Sequence, residues 1–248
     1  ARAAPGGGVA FDGDGTLWSG DIGEDFFAAL LEDGRLSAAA HDALVREALE
    51  AGLETSGTPV ALAHRIHEAY LAGTFPEERV CEIMTWAAAG WTRADLDAFA
   101  HRVLDAVGFE GRLHPEALRV ARWARDASLT VYLVSASPRA VVDAAARRLG
   151  IAHVCAATEI RDAADVVQPR VDRPIPYGPG KVTRLRERLG EGVLYAAFGD
   201  NAFDVSMLAA SRVPVMIRPS GAPEYHQRGN VCPGHTCCQL NDLGLLRR

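Results

Sequence analysis

Lysine is almost absent from this sequence. Lys181 is the single lysine in the chain, and arginine supplies nearly all of the remaining positive charge. The formal net charge is −6, so there is no basic excess to attract nucleic acid, and no nucleic-acid partner is expected. No apolar run approaches the roughly 18 residues that indicate a transmembrane helix, so we expect no membrane association and a cytoplasmic protein.

Cysteine is also scarce, and its number argues against a disulfide framework. The chain has five cysteines in 248 residues, which is an odd count in a chain long enough to bury a core without cross-links. Potential metal ligands cluster near the C-terminus at Cys232, His235, Cys237 and Cys238. Their spacing is more compressed than that of paired zinc knuckles, so a loop with incidental thiols is the simpler interpretation.

Between residues 20 and 112 the hydrophobic pattern is helical throughout. Apolar residues recur every three or four positions, and glycine-containing breaks separate the segments. A capping pattern at Asp21 and Glu24 begins the first helix. Further helices are predicted at residues 38–51, 59–71, 76–89 and 93–107. This block predicts an all-helical cap domain, residues 20–112, inserted after the first strand.

Outside that block, strands alternate with helices. Short apolar runs predict buried strands at residues 9–11, 129–134, 153–157, 193–198 and 213–217. Residues 161–180 are polar and proline-rich and predict a loop or hairpin, while the Ala/Gly/Pro-rich residues 1–8 predict a disordered start. The alternation predicts an α/β core domain with a doubly wound, Rossmann-like parallel sheet, formed by residues 1–19 and 113–248.

Two carboxylates follow the first predicted strand. Asp12 and Asp14 stand one residue apart among glycines, which let the backbone turn sharply and approach a ligand. Two like charges so close repel each other unless a cation lies between them or one carboxyl takes a proton. The stretch therefore indicates a divalent metal site at the carboxyl end of a strand, with an ordinary acidic turn as the alternative.

More polar residues follow the later strands. Ser135 directly follows one predicted strand, and Asp200 and Asp204 follow another. The carboxyl ends of parallel strands share one edge of the sheet, so these side chains are expected to converge on Asp12. Lys181 begins a predicted helix and provides the local positive charge that a phosphate site in an acidic protein requires.

The order of these residues resembles the motifs of the haloacid dehalogenase superfamily of phosphotransferases. The motifs are Asp12-Gly13-Asp14-Gly15-Thr16, then Ser135, then Lys181, then Gly199-Asp200-Asn201-Ala202-Phe203-Asp204. The helical insertion resembles the mobile cap of the phosphoserine-phosphatase-like branch. The resemblance implies a magnesium-dependent phosphatase that hydrolyses a small-molecule phosphate ester, phosphoserine-like or a phospho-amino alcohol, through an aspartyl-phosphate. It leaves the oligomeric state open.

The resemblance also assigns roles to the site residues. Asp12 would attack phosphorus, and Asp14 would protonate the leaving alcohol and then activate water. A Mg²⁺ ion would bind the Asp12 carboxylate, the backbone carbonyl of Asp14 and the Asp200 carboxylate, with water completing its octahedron. Ser135 would hydrogen-bond the phosphoryl group, and Lys181 would balance its charge.

Supporting and substrate-binding residues complete the predicted site. Asp204 would orient the lysine ammonium or a metal-bound water, and Thr16 would satisfy the backbone of the acidic turn. Asp21, Arg65 and Ser137 are the candidates for substrate binding. Each has a simpler alternative, since Asp21 and Ser137 suit helix N-caps and Arg65 suits a solvated helix face.

Other functions fit part of the pattern. A phosphomutase or another phosphotransferase of the same superfamily would share the aspartyl-phosphate chemistry. A signalling receiver domain also combines carboxylates, a hydroxyl and a lysine on a parallel sheet, but it needs about half this length. A halide-removing hydrolase would lack Asp14, and a non-catalytic binding protein would be expected to lack one motif group. Gly15 and Phe203 depart from the phosphoserine phosphatase pattern, so phosphoserine itself is not the expected substrate.

The ends of the helical block predict a hinge. The pattern changes at Ser19-Gly20 and again at residues 112–115, and glycine can absorb a backbone rotation at the first joint. The two joints lie close in space if both border the same edge of the sheet. We expect the block to move as a lid that admits substrate, excludes water and supplies selectivity.

Overall fold

A mainly parallel sheet carries the site. The computed structural model describes residues 6–217, together with the backbone of two short strands further along the chain. In spatial order the strands are β3 (His153–Ala157), β2 (Thr130–Pro138), β1 (Gly8–Phe11), β6 (Leu194–Gly199), β7 (Val213–Met216), β8 (Cys238–Leu240) and β9 (Leu246–Arg247). Neighbouring strands pair in parallel, except β8 with β9. The sheet confirms the predicted α/β fold.

Helices cover the central strands. The helices between β1 and β2 are α1 (Ile22–Glu32), α2 (Ala38–Glu50), α3 (Pro59–Leu71), α4 (Glu77–Trp86), α5 (Arg93–Ala106) and α6 (Pro115–Asp126). The later helices are α7 (Arg139–Leu149), α8 (Pro179–Leu189) and α9 (Val205–Ala209). Because helices lie over both faces, β1 is buried along its whole length. Among the described residues, none of the helices has the length and apolar character needed to cross a membrane.

Local sequence explains where the inserted helices begin. Ser37, Thr58 and Thr92 precede α2, α3 and α5, and the hydroxyl of each accepts a hydrogen bond from a backbone N–H in the first turn. Such caps satisfy amides that have no partner within the helix. The proline-rich stretch after β3 forms the antiparallel hairpin of β4 (Glu159–Arg161) and β5 (Val167–Val171), as predicted.

The helical insertion packs on the sheet domain through an apolar surface. Helix α5 lies against α7, and α4 contacts β2 and the β4–β5 hairpin. One cluster of buried apolar side chains includes Phe26 and Phe99 from the insertion and Leu133 and Val141 from the sheet domain. The insertion is therefore seated on the sheet domain, and its treatment as a separate domain of residues 20–112 stays a prediction.

The two predicted joints of the insertion are adjacent. The backbone N–H of Ser19 donates a 2.8 Å hydrogen bond to the carbonyl of Arg112. Gly20 follows with a φ of +79°, a conformation that glycine adopts without strain. The Arg112 guanidinium also donates a 2.5 Å hydrogen bond to Asp25 of α1, which ties the second joint to the first inserted helix.

Three predictions about local structure need correction or lie outside the described residues. Strand β2 continues to Pro138, and α7 begins at Arg139 without a side-chain cap, so the prediction that Ser137 caps this helix is wrong. The prediction that the disordered start extends to Gly8 is wrong, because Gly8 belongs to β1. The predicted cluster of Cys and His at residues 232–238 lies outside the residues whose side chains the structure describes.

Candidate active site

Three neighbouring strands bring the motif residues to one edge of the sheet. Asp12 and Asp14 follow β1, Ser135 lies near the end of β2, and Asp200 follows β6. Strand β1 stands between the other two, so its carboxyl end is the natural meeting point of all three. Lys181 reaches the same point from the first turn of α8.

Lys181 joins two carboxylates in the interior. Its Nζ donates a hydrogen bond of 2.6 Å to Oδ1 of Asp12 and one of 2.5 Å to Oδ1 of Asp204. Hydrogen bonds between an ammonium and carboxylates are charge-assisted, and water screens these poorly because all three side chains are buried. The other oxygen of Asp204 accepts hydrogen bonds from the backbone amides of Asp200 and Asn201. Asp204 therefore orients the ammonium, one of its two predicted roles.

Asp12 keeps one carboxylate oxygen without a partner. Its Oδ2 is buried, and within residues 6–217 no donor forms a hydrogen bond with it. Burial raises the pKa of the Asp12 carboxyl well above its usual range, Asp204 adds to the rise, and Lys181 opposes it. A buried oxygen without a hydrogen bond is costly, which indicates that this atom is reserved for a ligand or for chemistry.

Asp14 is held by donors from both sides. Its Oδ1 accepts hydrogen bonds of 2.8 Å from the indole of Trp18 and of 2.8 Å from the backbone of Ile22. Its Oδ2 accepts one of 2.7 Å from the hydroxyl of Ser137 and one of 3.3 Å from the hydroxyl of Ser135. The contact between Trp18 and Asp14 was not predicted from the sequence. The available clue was the position of Trp18 four residues after Asp14, within one turn of the acidic loop.

Asp200 approaches the acidic turn closely because of a glycine. Gly15 has a φ of +75°, and a Cβ on it would lie 2.1 Å from Oδ2 of Asp200. The hydroxyl of Thr16 donates a 3.3 Å hydrogen bond to Oδ1 of Asp200, so it supports this carboxylate and not, as predicted, the backbone of the turn. Burial and the charge of Asp204 raise the pKa of Asp200 to about 7.

The carboxylates fit a hard divalent cation. Oxygens of Asp12, Asp200 and Asp204 all lie within 4.8 Å of one another. Both oxygens of Asp204 already accept hydrogen bonds, which leaves Asp12 and Asp200 as the available ligands. A cation bound between Asp12 and Asp200 would reduce the repulsion among the acids. Oxygen ligands of this kind are those that Mg²⁺ prefers.

A pocket opens over these carboxylates. Besides the motif residues, it is lined by Asp21, Glu24, Tyr70 and Glu77 from the helical insertion and by Tyr177 and Phe203 from the sheet domain. Asp21 also caps α1, with Oδ1 accepting a 2.9 Å hydrogen bond from the backbone of Glu24. Both interpretations of Asp21 are thus compatible with its position. Tyr70, Glu77 and Tyr177 were not singled out by their sequence, because only the packing of their elements directs them here.

Arg65 lies apart from this group. It belongs to α3 and is not among the residues that line the pocket. Its guanidinium donates hydrogen bonds to the carbonyls of Glu54 at 2.7 Å and Ser56 at 3.2 Å. Its donors hold the loop that precedes its own helix, so the contacts do not support the prediction that Arg65 binds a substrate carboxylate.

The family of the chain follows from its sequence and agrees with this geometry. The sequence profile of the haloacid dehalogenase-like hydrolases matches residues 9–209. The chain belongs to this family and is a hydrolase. The predicted resemblance is confirmed, and the alternative of a signalling receiver domain is wrong. None of the curated proteins compared with the chain matches it.

Solved structures share the fold at low sequence identity. A protein of unknown function from Bordetella pertussis Tohama I aligns with a TM-score of 0.67 and 23% identity, covering 87% of this chain and 91% of its own. A functionally unknown protein from Anaerococcus prevotii DSM 20548 gives 0.62 and 13%, with 88% and 80% covered. A phosphoserine phosphohydrolase-like protein from Francisella tularensis gives 0.51 and 13%, with 85% and 87% covered. These similarities establish the shared fold.

Proposed function

We propose that this hydrolase cleaves phosphate monoesters of small metabolites through an aspartyl-phosphate and depends on Mg²⁺. The observation that carries the proposal is the unpartnered Oδ2 of Asp12, buried at the base of the pocket. Its other oxygen is fixed by Lys181, so the carboxylate is oriented while one oxygen stays available for attack. Membership of a hydrolase family supports the reaction class.

The first step transfers the phosphoryl group to the enzyme. Oδ2 of Asp12 attacks phosphorus, and the bond between phosphorus and the ester oxygen breaks with its electron pair moving to that oxygen. Asp14, protonated for this step, donates its proton to the departing alkoxide. The hydroxyls of Ser135 and Ser137 position the Asp14 carboxyl, and Lys181 offsets charge at the attacking carboxylate.

The second step returns the enzyme to its starting state. Asp14, now ionised, takes a proton from water, and the water oxygen attacks phosphorus. The bond between phosphorus and Asp12 breaks, and inorganic phosphate and a free carboxylate result. A Mg²⁺ ion held by Asp12 and Asp200 would neutralise phosphate charge beside the nucleophile. The backbone carbonyl of Asp14 remains the proposed third ligand.

The helical insertion, residues 20–112, is proposed to act as the lid of this site. It contributes Asp21 and Glu77 to the pocket, while the sheet domain contributes the motif residues. Its two connections meet at the hydrogen bond between Ser19 and Arg112, so a rotation there would move the whole block. Closure would exclude water from the aspartyl-phosphate until substrate has left.

Hydrolysis of p-nitrophenyl phosphate tests the proposal. We expect activity with added Mg²⁺, its loss in EDTA and its recovery when Mg²⁺ is restored. Asp12→Asn should abolish turnover while leaving the circular dichroism spectrum unchanged, because a carboxamide does not attack phosphorus effectively. Asp14→Asn should slow hydrolysis about a hundredfold or more. Full activity in excess EDTA, or in Asp12→Asn, would contradict the assignment.

The same assay separates hydrolysis from phosphoryl transfer within the substrate. A phosphomutase shares the first step, but it returns the phosphoryl group to a second hydroxyl of the substrate. Phosphate release should equal ester consumption for a hydrolase. An isomerised ester without phosphate release would favour the phosphomutase instead.

A further inference from the structure

The pocket walls beyond the motif residues combine negative charge with aromatic rings. The helical insertion contributes three carboxylates, Asp21, Glu24 and Glu77, and the ring of Tyr70. The sheet domain adds Tyr177 and Phe203. The leaving group of a phosphate ester bound at Asp12 must occupy this space, so its chemistry has to suit these walls.

The Glu77 side chain differs from the other two carboxylates because it has no partner among the described residues. Glu24 pairs with the imidazole of His67, with 2.7 Å between Oε2 and Nε2, and Asp21 caps α1. Glu77 lies in the first turn of α4, and its side chain has no hydrogen bond or ion pair with any other residue in the described part of the chain. Burial and the charge of Glu24 raise its pKa. A cation that entered the pocket would oppose this rise, because it favours the ionised carboxylate.

Within residues 6–217, no basic side chain that lines the pocket is free to bind an anionic leaving group. Lys181 is the only basic residue among those that line it within residues 6–217, and it is already bound to Asp12 and Asp204. Arg65, the predicted partner of a substrate carboxylate, is held elsewhere. A carboxylate on the substrate would therefore meet Glu77 without a compensating charge, which disfavours its binding.

The aromatic residues add a second attraction for a cation. The rings of Tyr177 and Phe203 lie with centroids 4.3 Å apart and an angle of 34° between their planes. Burial and nearby acids raise the pKa of Tyr70 and of Tyr177, so both stay neutral phenols. Faces of neutral aromatic rings attract ammonium groups, most strongly where water is excluded.

We propose that the pocket selects phosphate esters of amino alcohols, which carry an ammonium group and no carboxylate, and that Glu77 determines this specificity. The proposal rests on the phosphatase function proposed above. The ammonium would lie between the Glu77 carboxylate and the Tyr177–Phe203 pair, while the phosphoryl group faces Asp12. The sign of the charge on the leaving group then has more influence on selectivity than the size of the leaving group.

Three phosphate esters that differ in the charge of the leaving group test its role. 2-Aminoethyl phosphate and propyl phosphate differ mainly in the ammonium, and O-phosphoserine adds a carboxylate to the first. We expect kcat/KM for 2-aminoethyl phosphate to exceed that for each of the others about tenfold or more. Comparable values for propyl phosphate, or a higher value for O-phosphoserine, would overturn the inference. Hydrolysis of p-nitrophenyl phosphate shows independently that the phosphatase function holds.

Matched variants test the role of Glu77. Glu77→Gln should lower the ratio of kcat/KM between 2-aminoethyl phosphate and propyl phosphate to about one, whatever its effect on either value. Glu78→Gln is the control, because Glu78 is an exposed acid in the same first helical turn but does not line the pocket. An unchanged ratio in Glu77→Gln, or an equal fall in both variants, would overturn the assignment.

A binding experiment keeps the inference testable without turnover. 3-Aminopropylphosphonate and butylphosphonate replace the ester oxygen with carbon and cannot be hydrolysed. Calorimetric titration with Mg²⁺ present should show tighter binding of the aminophosphonate, and Glu77→Gln should remove the difference. Equal binding of the two phosphonates would exclude an ammonium site, even if phosphate esters are hydrolysed. Tighter binding of 3-aminopropylphosphonate would support an ammonium site, even if phosphate esters are not hydrolysed.

Discussion

The hydroxyl of Ser137 donates a 2.7 Å hydrogen bond to Oδ2 of Asp14, and this contact joins residues 123 positions apart. It depends on β2 continuing to Pro138 instead of giving way to helix after Ser135. The extended backbone directs the Ser137 side chain toward the acidic turn that follows β1. The proposed proton donor is thus oriented by the neighbouring strand as well as by its own turn.

Ser137→Ala should slow the hydrolysis of alkyl phosphates more than that of p-nitrophenyl phosphate. The substitution removes a hydrogen bond to the neutral Asp14 carboxyl, which is worth roughly 0.5–1.5 kcal/mol and corresponds to a twofold to tenfold loss. An alkoxide needs a proton to leave, whereas nitrophenolate does not, so only the first substrate depends strongly on the orientation of Asp14. Steady-state kcat values for both esters measure this. Equal losses for the two esters would indicate a general structural defect. Ser206→Ala, on α9 outside the pocket, is the control.

Lys181→Met should destabilise the metal-free protein by about 3–5 kcal/mol, because it leaves the carboxylates of Asp12 and Asp204 facing each other without a cation. Urea unfolding in EDTA measures the loss. Arg188→Met is the control, since Arg188 is exposed on the same helix and should change stability by less than about 0.5 kcal/mol. Mg²⁺ should recover part of the loss in Lys181→Met by supplying positive charge. A loss in Lys181→Met no larger than in the control would argue against the buried ion pairs.

Magnesium affinity should increase as the pH rises through about 7. Burial, with a smaller contribution from the charge of Asp204, raises the pKa of Asp200 from 3.8 to about 7. Below pH 7 the carboxyl therefore holds a proton that the metal must displace. The same shift predicts that the free energy of unfolding of the metal-free protein decreases as the pH rises from 3.8 to about 7. In this window the native state binds a proton that the unfolded state has already lost. Calorimetric titrations at several pH values measure the first effect. Asp200→Asn should abolish Mg²⁺ binding, and binding independent of pH would contradict the site.

The lid proposal predicts a local change in amide exchange. If residues 20–112 close over a bound phosphate analogue, vanadate with Mg²⁺ should slow exchange in the first turns of α1 and α4, which contribute Asp21 and Glu77 to the pocket. Exchange in α6 should stay unchanged, since that helix does not line the pocket. Equal exchange at α1 and α4 with and without vanadate would contradict closure. Hydrogen exchange followed by mass spectrometry provides the measurement.

The sequence by itself determined the fold class and the chemistry-bearing residues. Short continuous apolar runs predicted the strand positions to within a few residues, because strands buried between two layers of helices are apolar on both faces. The carboxyl ends of parallel strands meet at one edge, so the convergence of Asp12, Ser135 and Asp200 followed from strand order alone. Lys181 was identifiable because it is the single lysine of the chain.

Only the tertiary structure decided which contacts each of these residues makes. Ser137 looked like a helix cap, and Arg65 like a ligand for a substrate carboxylate, because local patterns do not show how far a strand continues or which loop a guanidinium meets. Trp18 and Glu77 gave no clear indication of their contacts with Asp14 and the pocket. Side-chain direction in these cases depends on how the inserted helices pack against the sheet domain, which involves residues far apart in the chain. The residues that carry the chemistry can thus be identified from short sequence motifs. The pocket walls that would select the substrate depend on packing between residues far apart in the chain.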